Sequence, residues 1–224
     1  MNYGLGRIPS PKDERDYSLA DVAGYLGAAV VPKHKLWSSA RVLNQHTTNH
    51  CVGYGCAAWG IALPVYDPWH DIDGDNLYYA AKIIDGEPGA EDGSCVRSGL
   101  QALQQIGRVK SYFWLTNVGE APDMDALVQF LLTQGSVIAG TDWTQDMFTP
   151  DARGIIHPTG AVQGGHCYLV RGVDTRTELA RIRNSWGTGW GKPRGDASIA
   201  LADLETLLQG TGEAAAAIEM PLAA

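Results

Sequence analysis

The spacing of apolar residues changes once along these 224 residues, and that change limits the folds open to the chain. Between positions 51 and 134 it is helical. Segment 51–63, CVGYGCAAWGIAL, is apolar, rich in small residues, and predicts a helix that stops before Pro64. Segments 75–84, 94–106 and 123–134 predict three more, with Gly107 and Gly135 as stops. From Ser136 onward the pattern is strand-like, over 136–143 (SVIAGTDW), 166–173, 179–183 and 197–201. Helices followed by strands argue for an α+β fold rather than an alternating one. The reading is one domain over 1–224. A helical lobe (roughly 45–134) faces an antiparallel sheet lobe (roughly 136–215), with a site in the cleft between them. Gly53 and Gly55 cost the first helix about 1 kcal/mol each against Ala, so another backbone is expected to pack close to them. Residues 1–24 are polar, broken by Pro9 and Pro11, with a charge run at Lys12–Asp16. The stretch 1–44 is expected to wrap the body as an arm of the sheet lobe. No internal repeat is visible.

Composition removes several function classes. The chain is 45% hydrophobic and 19% charged, which is globular. Seventeen basic against 25 acidic residues leave a net charge of −8, and no Lys/Arg cluster offers a nucleic acid a footprint. No run of 18 apolar residues could span a membrane. The N-terminus has no apolar signal core, which points to the cytoplasm; export or virion association stays open. Cys51, Cys56, Cys95 and Cys167 form no Cys-x-x-Cys pair and read as free thiols. Neither a metal nor a cofactor is expected. Asp71, Asp73 and Asp75 resemble the start of a calcium loop. Gly74 at its fourth position and Lys82 at its twelfth make it a solvated loop capping the next helix instead. Nothing sets an oligomeric state.

The chemistry-bearing candidates are a thiol and a distant histidine. Cys51 stands at the expected start of the first helix, where the macrodipole favours an anion and should lower a thiol pKa. A lone cysteine is by default a small buried hydrophobe, and Cys56 reads that way. Among the six histidines, His166 follows Gly164 and Gly165 and opens a strand. If 166–173 and 179–183 form a hairpin with the short loop Asp174–Arg176, His166 lies directly opposite Asn184. An Asn amide oxygen there would fix the imidazole tautomer and leave the other nitrogen for a thiol. A surface His beside a polar Asn is the alternative.

The run Asn184-Ser-Trp-Gly-Thr-Gly-Trp-Gly191, with GGHCYLV at 164–170 and Gln45 six residues before Cys51, resembles the papain-like cysteine peptidases. The order Gln, Cys, His, Asn matches theirs, and EDGSCVRSGLQAL (91–103) resembles their cleft-bordering loop and helix. The resemblance implies a two-lobe fold, no cofactor, and a peptide or protein substrate. Cys51 would attack the peptide carbonyl, His166 would be its imidazolium partner, and Asn184 would orient His166. Gln45 and the Cys51 N–H would hold the oxyanion. Trp186 would shield the His–Asn bond, and Trp190 would flank the leaving-group side. Gly93, Ser94, Cys95, Val96, Gly140, Gly165 and Cys167 would contact substrate.

The departures from that family pattern also carry expectations. Thr48 stands where many members have a disulfide cysteine. Only about 40 residues precede Gln45, shorter than a typical inhibitory proregion, so the full chain is expected to be active unprocessed. The residues around the pocket for the second residue before the cut (P2) are small, which implies an apolar side chain there. No acid is evident among them, so arginine is not expected, although Asp142 lies close by. A cell-wall peptide hydrolase or transferase with a Cys–His core, or a non-catalytic descendant of the fold, are the competing readings.

Overall fold

The computed structural model describes residues 3–14, 16–17, 31–65 and 74–219. Part of the arm (18–30), Arg15 of the charge run, and Asp71 and Asp73 of the acidic loop lie outside these residues. The elements are β1 (Arg7–Ile8), β2 (His34–Leu36), α1 (Cys51–Gly60), α2 (Gly74–Ile84), β3 (Ser94–Cys95) and α3 (Val96–Gln105). Then come β4 (Val109–Thr116), α4 (Met124–Thr133), β5 (Val137–Thr144) and a 3-10 helix (Gln145–Phe148). The chain ends with β6 (Val162–Asp174), β7 (Leu179–Arg183), β8 (Asp196–Ala200), α5 (Leu201–Leu208) and β9 (Glu213–Glu219). This is α+β. The four predicted helices form, each within about three residues of its expected ends.

The sheet runs in the order β4-β9-β5-β6-β7-β8, with β2 added to the far end of β6, and every pairing in it is antiparallel. Its central strands are buried on both faces, because side chains alternate across a strand. On β5 and β6, Val137, Ala139, Tyr168 and Val170 join one core with α4 and α5. Ile138, Cys167 and Leu169 point the other way into a second core with α1 and α3. A helix sits on each face because neither face can be left to water.

The boundary of the helical lobe needs correcting. Segment 109–133, read as part of it, supplies a strand of the sheet and the helix α4. Leu127, Phe130 and Leu131 of α4 pack into the sheet-side core. Asp123 caps α4 by accepting from the Ala126 amide at 2.9 Å. The strands β4 and β9 and the helix α5 were not expected from the sequence.

Helix α1 is buried over all ten of its residues. A Cβ on Gly53 would lie 2.1 Å from the Gly74 carbonyl of α2, and one on Gly55 would lie 2.6 Å from the Cys167 sulfur of β6. The two glycines therefore let α2 and the sheet close on α1, as their helix-weakening cost implied.

Candidate active site

Cys51 is the first residue of α1 and is fully buried. The backbone amides of Cys167 and Val52 both reach its sulfur. Residue 167 follows His166, so the helix start and the histidine strand meet at this thiol. Burial pushes the thiol up to about 12, against the opposing pull of those amides and the Arg7 charge. The helix start was expected to lower it. With water excluded, loss of hydration outweighs the aligned amides. Cys56 packs on Gly99 of α3, and burial raises its thiol too.

His166 is buried, and its Nε2 lies 2.8 Å from Asn184 Oδ1. The contact forms in a different register from the one expected. The hairpin pairs Asp174 with Leu179 and Val173 with Ala180, and a bulge shifts the ladder between Val170 and Gly172. His166 is opposite Thr141 of β5, and Asn184 sits just past the end of β7. The turn is longer than expected and the ladder stays two residues out of the expected register after the bulge, so Asn184 reaches the ring from just past the end of β7 rather than from directly across. The other ring nitrogen, Nδ1, is buried without a hydrogen-bond partner. Burial pushes the imidazole down to about 4, despite the opposite pull of the Asn184 bond.

Trp186 stacks on the His166 ring at 4.5 Å, and Trp143 meets it edge-on at 4.9 Å. Trp190 meets Trp186 edge-on at 5.5 Å and donates Nε1 to the Phe148 carbonyl at 2.9 Å. Beyond Trp190 opens a cavity of about 670 Å³, bordered by Tyr3, Phe148, Gln163 and Lys192.

Residues 4–8 of the arm lie in a groove between β3 and β6. The Gly6 amide donates to the Gly165 carbonyl at 2.9 Å, and the Ser94 amide donates to the Gly6 carbonyl at 2.9 Å. Arg7 and Ile8 pair with Ser94 and Cys95 as a short parallel ladder. The Gly4 carbonyl accepts from Gln45 Nε2 at 3.2 Å and from Trp186 Nε1 at 3.1 Å. Gln45 is itself oriented by Ser185, whose hydroxyl donates to Oε1 at 2.6 Å. The arm thus does not simply wrap the sheet lobe; it runs over Gln45, Trp186, Gly93–Cys95 and Gly165. Cys167 packs on α1, and Val96 is buried beside Gly140.

A charged frame holds the β3 wall. Lys82 Nζ, wholly inaccessible, donates to the Gly93 carbonyl at 3.0 Å, to Glu87 at 2.7 Å and to Asp92 at 2.9 Å. Burial alone would lower this ammonium, but those carboxylates outweigh it and raise it above its usual range. Tyr78 accepts from the Gly93 amide at 3.1 Å. His50, beside Cys51 in sequence, has each ring nitrogen 2.6 Å from a carboxylate, Asp75 on one side and Glu91 on the other.

Two features escaped the sequence reading. The arm is placed by main-chain hydrogen bonds, which no periodicity signals. Glu213 is the other, a buried acid beside Gly140 that the sequence reading did not place there. It pairs with Gly140 across β9 and β5, and its Oε1 lies 2.8 Å from Arg7 Nε. The signal would have been β9 itself, hidden in an alanine run.

No sequence-family model and no curated protein matches the chain. Among solved structures it is similar to xylellain, a cysteine protease from Xylella fastidiosa. The TM-score there is 0.77 at 19% identity, over 98% of this chain and 97% of that one. The chain has the papain-like fold. The same fold relates it to digestive procathepsin L 3 of Tenebrio molitor larval midgut, with TM-score 0.64 at 15% identity over 96% of this chain and 76% of that one. It also relates it to a cysteine protease of Carica candamarcensis in complex with E-64, with TM-score 0.63 at 15% identity over 85% and 100%. Among the described residues of this papain-like chain, no three His, Cys, Asp or Glu side chains are grouped to hold a metal ion. No helix among them is long and apolar enough to cross a membrane. All four cysteines are free.

Proposed function

We propose that the chain is a cysteine endopeptidase that hydrolyses peptide bonds in a peptide or protein substrate. The observation that carries this reading is the extended segment 4–8 already lying in the groove. It is held by main-chain hydrogen bonds to Ser94 and Gly165, with two N–H donors on its Gly4 carbonyl. A groove that holds one peptide strand by its backbone can hold another.

In this mechanism Cys51 attacks the carbonyl carbon as a thiolate. His166 takes the thiol proton on Nδ1 and later delivers it to the leaving amine, while Asn184 keeps Nε2 engaged. Gln45 Nε2 and the Cys51 amide receive the negative charge that develops on the carbonyl oxygen. Gly93, Ser94, Cys95 and Gly165 align the substrate backbone, Val96, Gly140 and Cys167 bound a side-chain pocket, and Trp186 and Trp190 flank the leaving side.

With the arm in place, thiol and imidazole are both held neutral by burial, which is the unreactive pairing. Departure of the arm admits water and lowers the cost of the thiolate–imidazolium pair. The full chain is therefore expected to cleave without processing, at a rate limited by how often the arm leaves the groove.

The test is alkylation and mutagenesis of the full chain in reducing buffer. Cys51→Ser should abolish peptide cleavage and epoxide labelling while the circular dichroism spectrum is kept. Cys56→Ser should retain most cleavage. Gln45→Ala should slow turnover by roughly 10²–10³ with substrate binding little changed. Cleavage that survives Cys51→Ser would sink the assignment.

A further inference from the structure

His50 is buried and has no part in the chemistry proposed above, yet it stands next to Cys51. Its carbonyl accepts from the Tyr54 amide at 3.1 Å and so begins α1. Its ring reaches away to two other elements. Nδ1 lies 2.6 Å from Asp75 Oδ1 in the first turn of α2, and Nε2 lies 2.6 Å from Glu91 Oε2 in the loop that leads to β3. The ring lies nearly flat on Tyr78 at 3.8 Å, and Tyr79 meets it edge-on at 5.3 Å. The Glu91 carboxylate also accepts from the Tyr79 hydroxyl at 3.0 Å, and its carbonyl accepts from the Asn49 amide at 2.9 Å.

An ionised carboxylate only accepts hydrogen bonds. The ring can therefore donate to Asp75 and Glu91 together only when both its nitrogens carry protons. A singly protonated ring turns a lone pair toward one of the two carboxylates, and that contact becomes repulsive. The groups around the ring keep their own charge states. Tyr78 and Tyr79 are held above the ordinary phenol range, and Glu91 is held below the ordinary carboxylate range, by the His50 bond first. Burial raises the adjacent Cys51 thiol. The same loop has a second fastener in Lys82, which holds Glu87, Asp92 and the Gly93 carbonyl and is raised above its usual range. Lys82 stays charged through neutral pH, whereas an imidazole ordinarily changes charge between about pH 5 and 8.

The loop ends on the groove wall. Two residues after Glu91, the Gly93 amide donates to the Tyr78 hydroxyl, and the Ser94 amide then holds the extended strand in the groove. The ring thus joins this wall to the start of the helix that carries the thiol. We propose that His50 is a positioning residue whose doubly protonated ring latches the Gly93–Cys95 wall to the Cys51 helix, and that this latch sets substrate binding rather than the chemical step. This rests on the peptidase reading above. As pH rises and the ring gives up one proton, the latch loses one of its two bonds and the wall loosens.

Kinetics are measured on the full chain carrying Arg7→Gln with Glu213→Gln, which removes the buried ion pair that seats the arm. As the ring loses its second proton, KM for a peptide substrate should rise about fivefold, the expected loss for one half-exposed charged hydrogen bond. Adding Glu91→Gln should flatten that rise, because a carboxamide can accept from a protonated ring nitrogen or donate to a bare one. Asp75→Asn makes the same test at Nδ1 and keeps it sound if Glu91→Gln folds poorly. His50→Gln should hold KM at its high-pH value throughout while kcat is kept. A merely structural His50 would lower stability in these variants and leave the pH slope of KM alone. In parallel, NMR on the full chain carrying Cys51→Ser follows the His50 ring and the backbone amides of Gly93 and Ser94. Both amides should shift with the ring as pH changes, and the shift should vanish in His50→Gln. Amides that follow the ring, in a protein whose Cys51 form cleaves no peptide, would keep the latch and overturn the peptidase reading. A KM without the rise, a rise that survives both Glu91→Gln and Asp75→Asn, or amides that ignore the ring would overturn the latch.

Discussion

The wall of the groove carried by Gly93–Cys95 stands on charges, whereas the wall carried by Gly165 and His166 stands on aromatic rings. On the first, Lys82 is sealed at 0% exposure, but its partners Glu87 and Asp92 are 57% and 64% exposed, and His50 is clamped by two carboxylates. On the second, Trp143, Tyr168 and Trp186 meet the histidine ring at 4.5 to 6.2 Å, and Trp190 backs Trp143 and Trp186. The difference assigns a task to each wall. A dry aromatic wall fixes an imidazole without titrating, while a frame of half-wet carboxylates positions a backbone strand and responds to ionic conditions.

The largest expected effect is on the aromatic wall. Trp143 is fully buried and touches His166, Tyr168, Trp186 and Trp190. Trp143→Ala should cost about 3–5 kcal/mol of unfolding free energy, read by denaturant titration. A loss under 1 kcal/mol would mean that the wall is not held by packing.

Next is the pH dependence of that wall. His166 ordinarily protonates near 6.5 but is held down to about 4 in the folded chain. Between those values the unfolded chain binds the proton and the folded one does not. Stability should therefore be complete above about pH 6.5 and fall by about 3 kcal/mol as pH drops toward 4. His166→Gln should flatten that slope in thermal melts across the range.

The charged wall should yield more gently. Lys82→Met keeps the length but drops three hydrogen bonds, and its exposed partners can rehydrate. A cost of about 1–3 kcal/mol is expected, toward the lower end. Limited proteolysis should cut within 86–93 faster than in the parent chain. The smallest effect is that of salt. Near 1 M NaCl the screening length is about 3 Å, so the same loop should become slightly more cleavable while Trp fluorescence stays unchanged. Equal responses from both walls would remove the distinction between them.

What the sequence made legible follows from local physics. The helices at 51, 75, 94 and 123 carry their stops and spacing. The His166–Asn184 contact was legible as a pair, although it forms by another register. A bulge is invisible to alternation, because it adds one residue without changing the composition of the strand. Strand β9, EAAAAIE, has low intrinsic β preference and becomes a strand because β4 and β5 leave a slot that pairs it on both sides. Missing β9 meant missing Glu213. The arm was legible as extended but not as seated, since backbone hydrogen bonds to a groove leave no mark on side-chain pattern.

The complete enclosure of α1 has a consequence for how long the reactive thiol keeps its place. A helix with solvent on one side can fray or tilt in small openings. Here α2, α3 and the sheet close around all ten residues, so no local excursion exposes this helix without parting the packed layers themselves. Hydrogen exchange of its amides should then proceed only through global unfolding, at the slow limit of the whole protein. The helix that carries the sulfur would hold its place whether the arm is seated or gone, until the packed layers themselves part.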